Sequence, residues 1–433
     1  MSMTKAVAAP TGKRLESLDF IRGCALFGIL IMNIVGMGLG PAYDNPTVMG
    51  GDTGIDLWTW FIVNVGFEGT QRGLFSILFG AGVILFTSRA NSTDAYFRRN
   101  LWLIAFGLFN AWVLLWGGDI LYFYGLTALF LFSFRNLSGK KLLGLGVAAF
   151  ALGAAWTGLE TYNMLDLHKR AVAAETVPAA QRSEEQKRAV DEWKEESRGS
   201  PSPETVARLK RENQAGYVSA LVVRAPRISQ AQSWDAYRYF FDIFGMMMIG
   251  MALFKLGVLT LEARTRTYLA MLLGGYAIGM PVNLYEANWL MSHGFSGLAR
   301  HQADITYDLA RLAQTTGHLG LLGLFLKSGI FPWFRRSMAA VGRMALTNYL
   351  THSAVALIIF VLLGYWGQLE RHQLYYIVFS IWAVQIVVSP IWLRNFHFGP
   401  VEWLWRYLTY GKKPPFRKNA LSAPVSAEPA AAE

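Results

Sequence analysis

The chain has 433 residues, of which 53% are hydrophobic and only 16% charged. Soluble domains carry about 25% charge, so the composition excludes an ordinary water-soluble globule. The formal net charge of +11 comes from Lys and Arg lying between apolar stretches and in the C-terminal tail. That placement serves membrane orientation and gives no reason to expect nucleic acid. The single cysteine, Cys24, allows neither a disulfide framework nor a cysteine-based metal site.

Apolar stretches of roughly 17–25 residues can cross a bilayer. Inside lipid they must be helices, because every backbone polar group needs an internal partner. The sequence therefore predicts an all-α, polytopic transmembrane bundle of about ten helices. In chain order these are Leu18–Leu39, Gly69–Ser88, Phe97–Trp116, Ile120–Phe134 and Leu142–Glu160. After a long polar loop come Tyr237–Leu256, Tyr268–Leu290, Ile305–Leu326, Val341–Leu363 and Leu374–Leu393. The first stretch follows Lys13 and Arg14 but is longer than a signal-peptide core and lacks a small-residue cleavage site, so it reads as a retained helix. The third and fourth meet at Gly117-Gly118-Asp119, a tight hairpin. Ile55–Phe67 is apolar and Trp-rich but too short to cross alone, and reads as an interfacial or re-entrant helix or an extension of the second span.

If Ile55–Phe67 crossed, there would be eleven spans and the two ends would lie on opposite sides. The Lys and Arg of the short connections decide for ten. Arg98 and Arg99, Arg135, Lys140 and Lys141, Arg264 and Arg266, and Arg335 and Arg336 all fall on one side, while the opposite short loops hold only Arg300 and Arg371. Positive charge marks the cytoplasmic side, so both termini are placed in the cytoplasm of a bacterial inner-membrane protein. The expected division is residues 1–160 as an N-terminal half, 161–235 as a periplasmic loop, 236–410 as a C-terminal half and 411–433 as a disordered tail, with Leu421–Glu433 rich in Ala and Pro. Within the loop, Ser183–Glu196 and Glu204–Asn213 are expected helices separated by Ser200-Pro201-Ser202-Pro203. The loop reads either as a cap over the outer mouth or as an insertion without a role.

A charge inside a span costs a few kcal/mol on insertion scales, so each one asks for a reason. Asp19 and Arg22 share a helical face and can pair with each other or present a cationic site. Asn33, deeper on that helix, suits a helix–helix hydrogen bond. Glu68 and Arg72 stand four apart, the favoured spacing and order for a helical ion pair. Asp119 at the hairpin tip can cap the next helix. Asn283, Glu286, Asp308 and Arg311 are further candidates toward the outer half, where a polar cavity would open. His318 and His352 fall near mid-bilayer, where a histidine can be a general base or a hydrogen-bonded structural residue. No zinc motif, phosphate loop or nucleophile elbow is present. Gly80 and Gly82 read as close-packing residues rather than a nucleotide loop.

Several segments carry a resemblance. Leu18-Asp19-Phe20-Ile21-Arg22-Gly23 with Asn33, the run from Arg72 to Gly82, Gly118-Asp119-Ile120-Leu121, the run from Gly342 to Tyr349 and the run from Gly399 to Arg406 resemble the bacterial YeiB-like family of membrane proteins. They cover nearly the whole chain except the loop, and five in order are a strong match. Gly23, Gly80, Asn348, Tyr349, Glu402 and Arg406 stand in these motifs. The first helices of that family are similar to those of transmembrane acyltransferases, including the heparan-glucosaminide acetyltransferase group, which passes an acyl group from cytoplasmic acyl-CoA to a sugar across the membrane. The resemblance implies a polar cavity between helices, with Asp19, Arg22 and Gly23 matching the shared start motif.

One departure matters. That acetyltransferase group keeps its catalytic histidine in the first outer loop, and here Gly40–Asp56 contains none. A base must then come from Glu68, Asp119, His318 or His352, and the family commonly has glutamine near the position of His352. The expectation is an acyltransferase with no bound cofactor and no metal, using acyl-CoA as co-substrate and an envelope glycan or lipid as acceptor. Arg22, Arg98 and Arg99 would hold the CoA phosphates, with Asp19, Asn33 and Arg72 completing the binding set. A permease for a small polar or anionic solute, using the same buried charges, and a non-catalytic scaffold are the alternatives.

Overall fold

The structure, a computed structural model, describes residues 15–88, 92–197 and 200–418. The run Leu421–Glu433, expected to be disordered, and the cationic residues Lys13, Arg14 and Arg89 lie outside the described residues. The described chain is helical apart from turns and one isolated bridge between Phe396 and Arg417.

The N-terminal part holds α1 (Glu16–Gly38), α2 (Gly54–Phe67), α3 (Thr70–Thr87), α4 (Thr93–Trp112), α5 (Leu121–Leu131) and α6 (Gly139–Glu175). Then come α7 (Glu184–Glu196), α8 (Pro203–Gln214), α9 (Tyr217–Gln230) and the single turn α10 (Ala236–Arg238). The C-terminal part holds α11 (Phe240–Lys255), α12 (Thr265–Ser292), α13 (Gly297–Ser328), α14 (Pro332–Arg343), α15 (Ala345–Ala356), α16 (Arg371–Asn395) and α17 (Pro400–Tyr410).

By length and composition six segments can cross a membrane: Glu16–Gly38, Gly54–Thr87, Gly139–Glu175, Thr265–Ser292, Ala345–Leu362 and Arg371–Asn395. The pair Tyr217–Arg238 and Phe240–Lys255, bent by 63°, makes a seventh if it counts as one span. Their outward faces fit lipid. On α16, Leu374, Val378, Ile381 and Gln385 are buried while Tyr376, Phe379, Val384, Val387 and Ile391 are exposed. In a soluble fold such an apolar stripe would be a liability.

Close crossings at glycine hold the bundle, among them α1 on α14 and α3 on α11. α1 meets α14 at Gly23 and Gly342, where a Cβ on either would strike the carbonyl of Met338 or Asp19. α3 meets α11 at Gly80 and Gly250, each facing a carbonyl of the other helix. Gly80 is thus a packing residue, in the manner of small-residue contacts between membrane helices.

Between α2 and α3 the chain breaks at Gly69, whose φ of +66° is a left-handed conformation suited to glycine. Glu68 and Arg72 are therefore not on one continuous helix, and the ion pair expected from their spacing does not form: no cation lies within 4 Å of Glu68 among the described residues.

Segment 161–235 is largely helical. The expected helices appear as α7, with a Ser183–Gln186 capping box, and α8, with Pro203 in its first turn. Not expected were α9 and the continuation of α6 past Glu160 to Glu175. That continuation buries Leu167, Ala171 and Ala174 at i, i+4 and i+7, one helical face, in a helix that packs against α7.

Candidate functional site

A cavity of about 1300 Å³ opens among α1, α3, α6, α9, α11 and α13 and reaches down α1 as far as Ile29. Asn33, Glu68, Arg72, Asp119, Asn283, Glu286, Asp308 and Arg311, eight residues singled out by sequence, all line it, together with Asp242 and Tyr307.

On one wall the charges are paired off. Arg311 donates to both oxygens of Asp242, at 2.6 and 3.2 Å, and to Asp308 at 2.8 Å. Arg72 donates to Asp242 at 3.3 Å. One carboxylate thus lies between two guanidiniums drawn from α3 and α13. At the rim, Arg238 grips Glu160 through its Nε at 2.8 Å from each oxygen, and Arg227 pairs with Asp235 at 2.8 Å. Buried charges survive when paired in this way.

Three other cavity carboxylates have only neutral hydrogen-bond partners, among them Glu286, which accepts from the Thr306 hydroxyl at 2.6 Å. Glu68 accepts from the hydroxyls of Tyr43 and Tyr307, each at 3.2 Å. Asp119 accepts from the Asn110 side-chain amide at 2.7 Å, the Tyr122 backbone N–H at 2.8 Å and the Tyr349 hydroxyl at 3.4 Å. Among the described residues neither Glu68 nor Asp119 has a cation within 4 Å. Asp119 lies in the turn between α4 and α5, and burial lifts its carboxyl to about 7, with the Asn110 and Tyr122 hydrogen bonds opposing the shift. Its bond to Tyr122, three residues on, is also that of a helix cap.

Of the histidines, His301 lines the cavity, whereas the two singled out by sequence, His318 and His352, stand apart from it. His318 sets Nδ1 at 2.9 Å from the Gln314 carbonyl and Nε2 at 3.1 Å from the Gly66 carbonyl, clamping α13 to α2. His352 is buried with Nε2 3.1 Å from Gln385 Oε1. Both arrangements are those of structural residues. At the other end of α1, Arg22 pairs with Asp19 at 3.0 Å. Arg99 lies over the Trp405 ring at 3.9 Å, whereas Arg98 is exposed and pairs with Asp94 at 2.7 Å. Glu402 accepts from the N–H groups of Leu346 and Thr347 and from the Thr347 hydroxyl, capping α15. Asn348 donates to the Val341 carbonyl and to Ser389, and Arg406 lies over the Phe398 ring.

Asp56, Glu370 and His372 bring their ligand atoms within 4.8 Å of one another, near enough to share an ion. Asp56 Oδ1, however, already accepts from the His372 backbone N–H at 2.7 Å and faces its Nδ1 at 2.9 Å, which is the geometry of an ion pair at a helix start. Sequence reasoning passed over Asp242, although a carboxylate in the apolar run Phe240–Met248 carries the same signal as the others. Nothing in the sequence marks Tyr43 and Tyr307 among 18 tyrosines.

The family described as "Protein of unknown function (DUF418)" matches residues 253–412. "Uncharacterized protein YeiB" of Escherichia coli (strain K12) is 31% identical over 407 residues, covering 92% of this chain and 96% of that protein. "Uncharacterized protein YxaH" of Bacillus subtilis (strain 168) is 28% identical over 436 residues, 94% of this chain and 97% of its own. No solved structure matches.

Proposed function

The chain belongs to the YeiB-like family, and on that premise we propose that it is an acyltransferase whose cavity holds the acceptor. An acyl group passes from cytoplasmic acyl-CoA to a hydroxyl or amine of an envelope glycan or lipid. Glu68 takes the proton as the acceptor attacks the thioester carbonyl, and the CoA thiolate leaves.

The observation that carries this reading is the setting of Glu68: a carboxylate lining a cavity of about 1300 Å³, steadied by two tyrosine hydroxyls and with no cation within 4 Å among the described residues. A base must be within reach of its proton and available to take it. Asp242, locked between two arginines, is not available, and the two histidines face backbone or glutamine rather than the cavity. Asp119, tied down as a cap, and Glu286, held by the Thr306 hydroxyl, are the further candidates.

The donor end is supported by Arg22 and Arg99. Arg22 lies seven residues before Ile29 on the cavity floor, about 10 Å along a helix, so a thioester arm entering beside Arg22 has a short way to go. Arg98, turned outward to Asp94, drops out of this set. In the proposed topology ten helices cross the inner membrane with both termini cytoplasmic, α4, α5, α11 and α13 completing the count, and segment 161–235 caps the outer mouth.

The test is acetyl-CoA binding to the full chain in nanodiscs by calorimetry, with free CoA and ATP as controls. Saturable binding that prefers the acyl-CoA and is lost in Arg22→Ala is expected. No binding at millimolar ligand would sink the proposal.

A permease is the second reading. It is favoured by the 63° break beside Asp242, since transporters place broken helices at charged midpoints. Solute uptake into proteoliposomes without acyl-CoA would establish it.

A further inference from the structure

Glu68 and Arg371 share an unexplained feature. Glu68 is a cavity carboxylate that feels Arg72 only from beyond 4 Å, and Arg371 is a cation, 4% exposed, that feels Asp56 only from beyond 4 Å. Buried charges are normally compensated, because taking an ion out of water costs several kcal/mol.

Both residues line one small void of about 20 Å³, together with Tyr43, Asn64, Tyr375 and apolar side chains of α1 and α2. Two polar atoms of the void's lining residues have no protein partner: Arg371 Nε and the Tyr375 hydroxyl, each fully buried. Arg371 itself is held in place by a hydrogen bond from its Nη2 to the Ala42 carbonyl. Empty cavities are apolar, whereas the residues lining this one carry two unpartnered donors and a carboxylate.

The void fits water. Space of about 10–15 Å³ measured in this way is enough for one molecule, and buried waters make about three hydrogen bonds. A water here accepts from the Arg371 Nε–H and the Tyr375 hydroxyl and donates to the Glu68 carboxylate, which is three. Charged groups too far apart for direct contact are commonly joined like this.

We propose that one or two ordered waters in this void link Glu68 to Tyr375 and Arg371, so that both are positioning residues for it. Their meaning for catalysis rests on Glu68 being the base, but the link itself stands or falls without it. The arrangement also accounts for an arginine placed at the first position of α16, where the helix dipole favours acids over cations.

The experiment is a map of the full chain in nanodiscs at a resolution that shows water, with thermal unfolding of variants beside it. The expected map has one or two peaks within about 2.6–3.2 Å of Arg371 Nε, Tyr375 Oη and the Glu68 carboxylate. Arg371→Met should lower the unfolding midpoint in the native chain and lower it much less in the Glu68→Gln background, because coupled groups are non-additive. If Arg371→Met does not fold, Tyr375→Phe carries the same comparison with one donor deleted. An empty or side-chain-filled void, or penalties that simply add, would overturn the inference. None of these readouts involves acyl transfer, so a failure to find enzyme activity leaves the link testable.

Discussion

The two walls of the cavity treat carboxylates in opposite ways. Along α11 and α13, Asp242 and Asp308 are bound by guanidiniums at 2.6–3.3 Å. Across from them, the direct hydrogen bonds to Glu68 and Asp119 come from tyrosine, asparagine and backbone donors. The first wall is built to stand: removing one member leaves charges buried without partners. The second keeps carboxylates that can exchange a proton without breaking a salt bridge. Residue type does not separate the two sets, since all four are acids in apolar surroundings. Their partners do.

The sharpest way to break this contrast is at Asp242. Asp242→Ala strands Arg72 and Arg311 in the interior and should cost about 3–5 kcal/mol, read as a large drop in the unfolding midpoint in nanodiscs. Glu68→Gln keeps the shape, with one tyrosine hydroxyl still donating to the amide oxygen and the other turned to accept from its NH2, and should cost clearly less than Asp242→Ala. If the two variants were equally destabilised, the division into paired and neutral walls would be wrong.

Asp119 gives a pH signature. Its carboxyl titrates near 7 in the folded chain and near 3.9 when unfolded, so between these values the folded state binds more protons. Stability should therefore fall as pH rises through about 4 to 7, by up to about 1.4 kcal/mol per unit, and then level off. Asp119→Asn should flatten that slope. Unfolding midpoints at pH 5 and pH 8 for both proteins check it.

The smallest effect is expected at the histidines. His318→Gln should cost about 1 kcal/mol, the worth of a hydrogen bond or so, and leave any transfer activity intact. A loss of activity without loss of stability would return His318 to the candidate bases.

Much of this was legible in the chain. The first helix, expected at Leu18–Leu39, is Glu16–Gly38, because a long apolar run with no breaker has one solution in lipid. Asn33, Glu68, Arg72 and Asp119 stood out as polar residues in apolar company, and they meet in one cavity. What sequence could not supply was who pairs with whom. Arg72 finds Asp242 170 residues away, and local spacing pointed instead to Glu68, a pairing that Gly69 prevents. The reach of α6 was missed for a related reason. Its polar extension is held by burial of Leu167 and Ala171 in a helix packed on α7, which composition alone reads as loop.

The most direct test of the central claim is transfer of labelled acetyl from acetyl-CoA into envelope glycan and lipid by membranes carrying the native chain or Glu68→Gln. General-base removal typically costs about 10²–10⁴-fold. The account predicts a loss of that size in Glu68→Gln with acetyl-CoA binding unchanged. Native-level transfer by Glu68→Gln, or no transfer by the native chain, would contradict it.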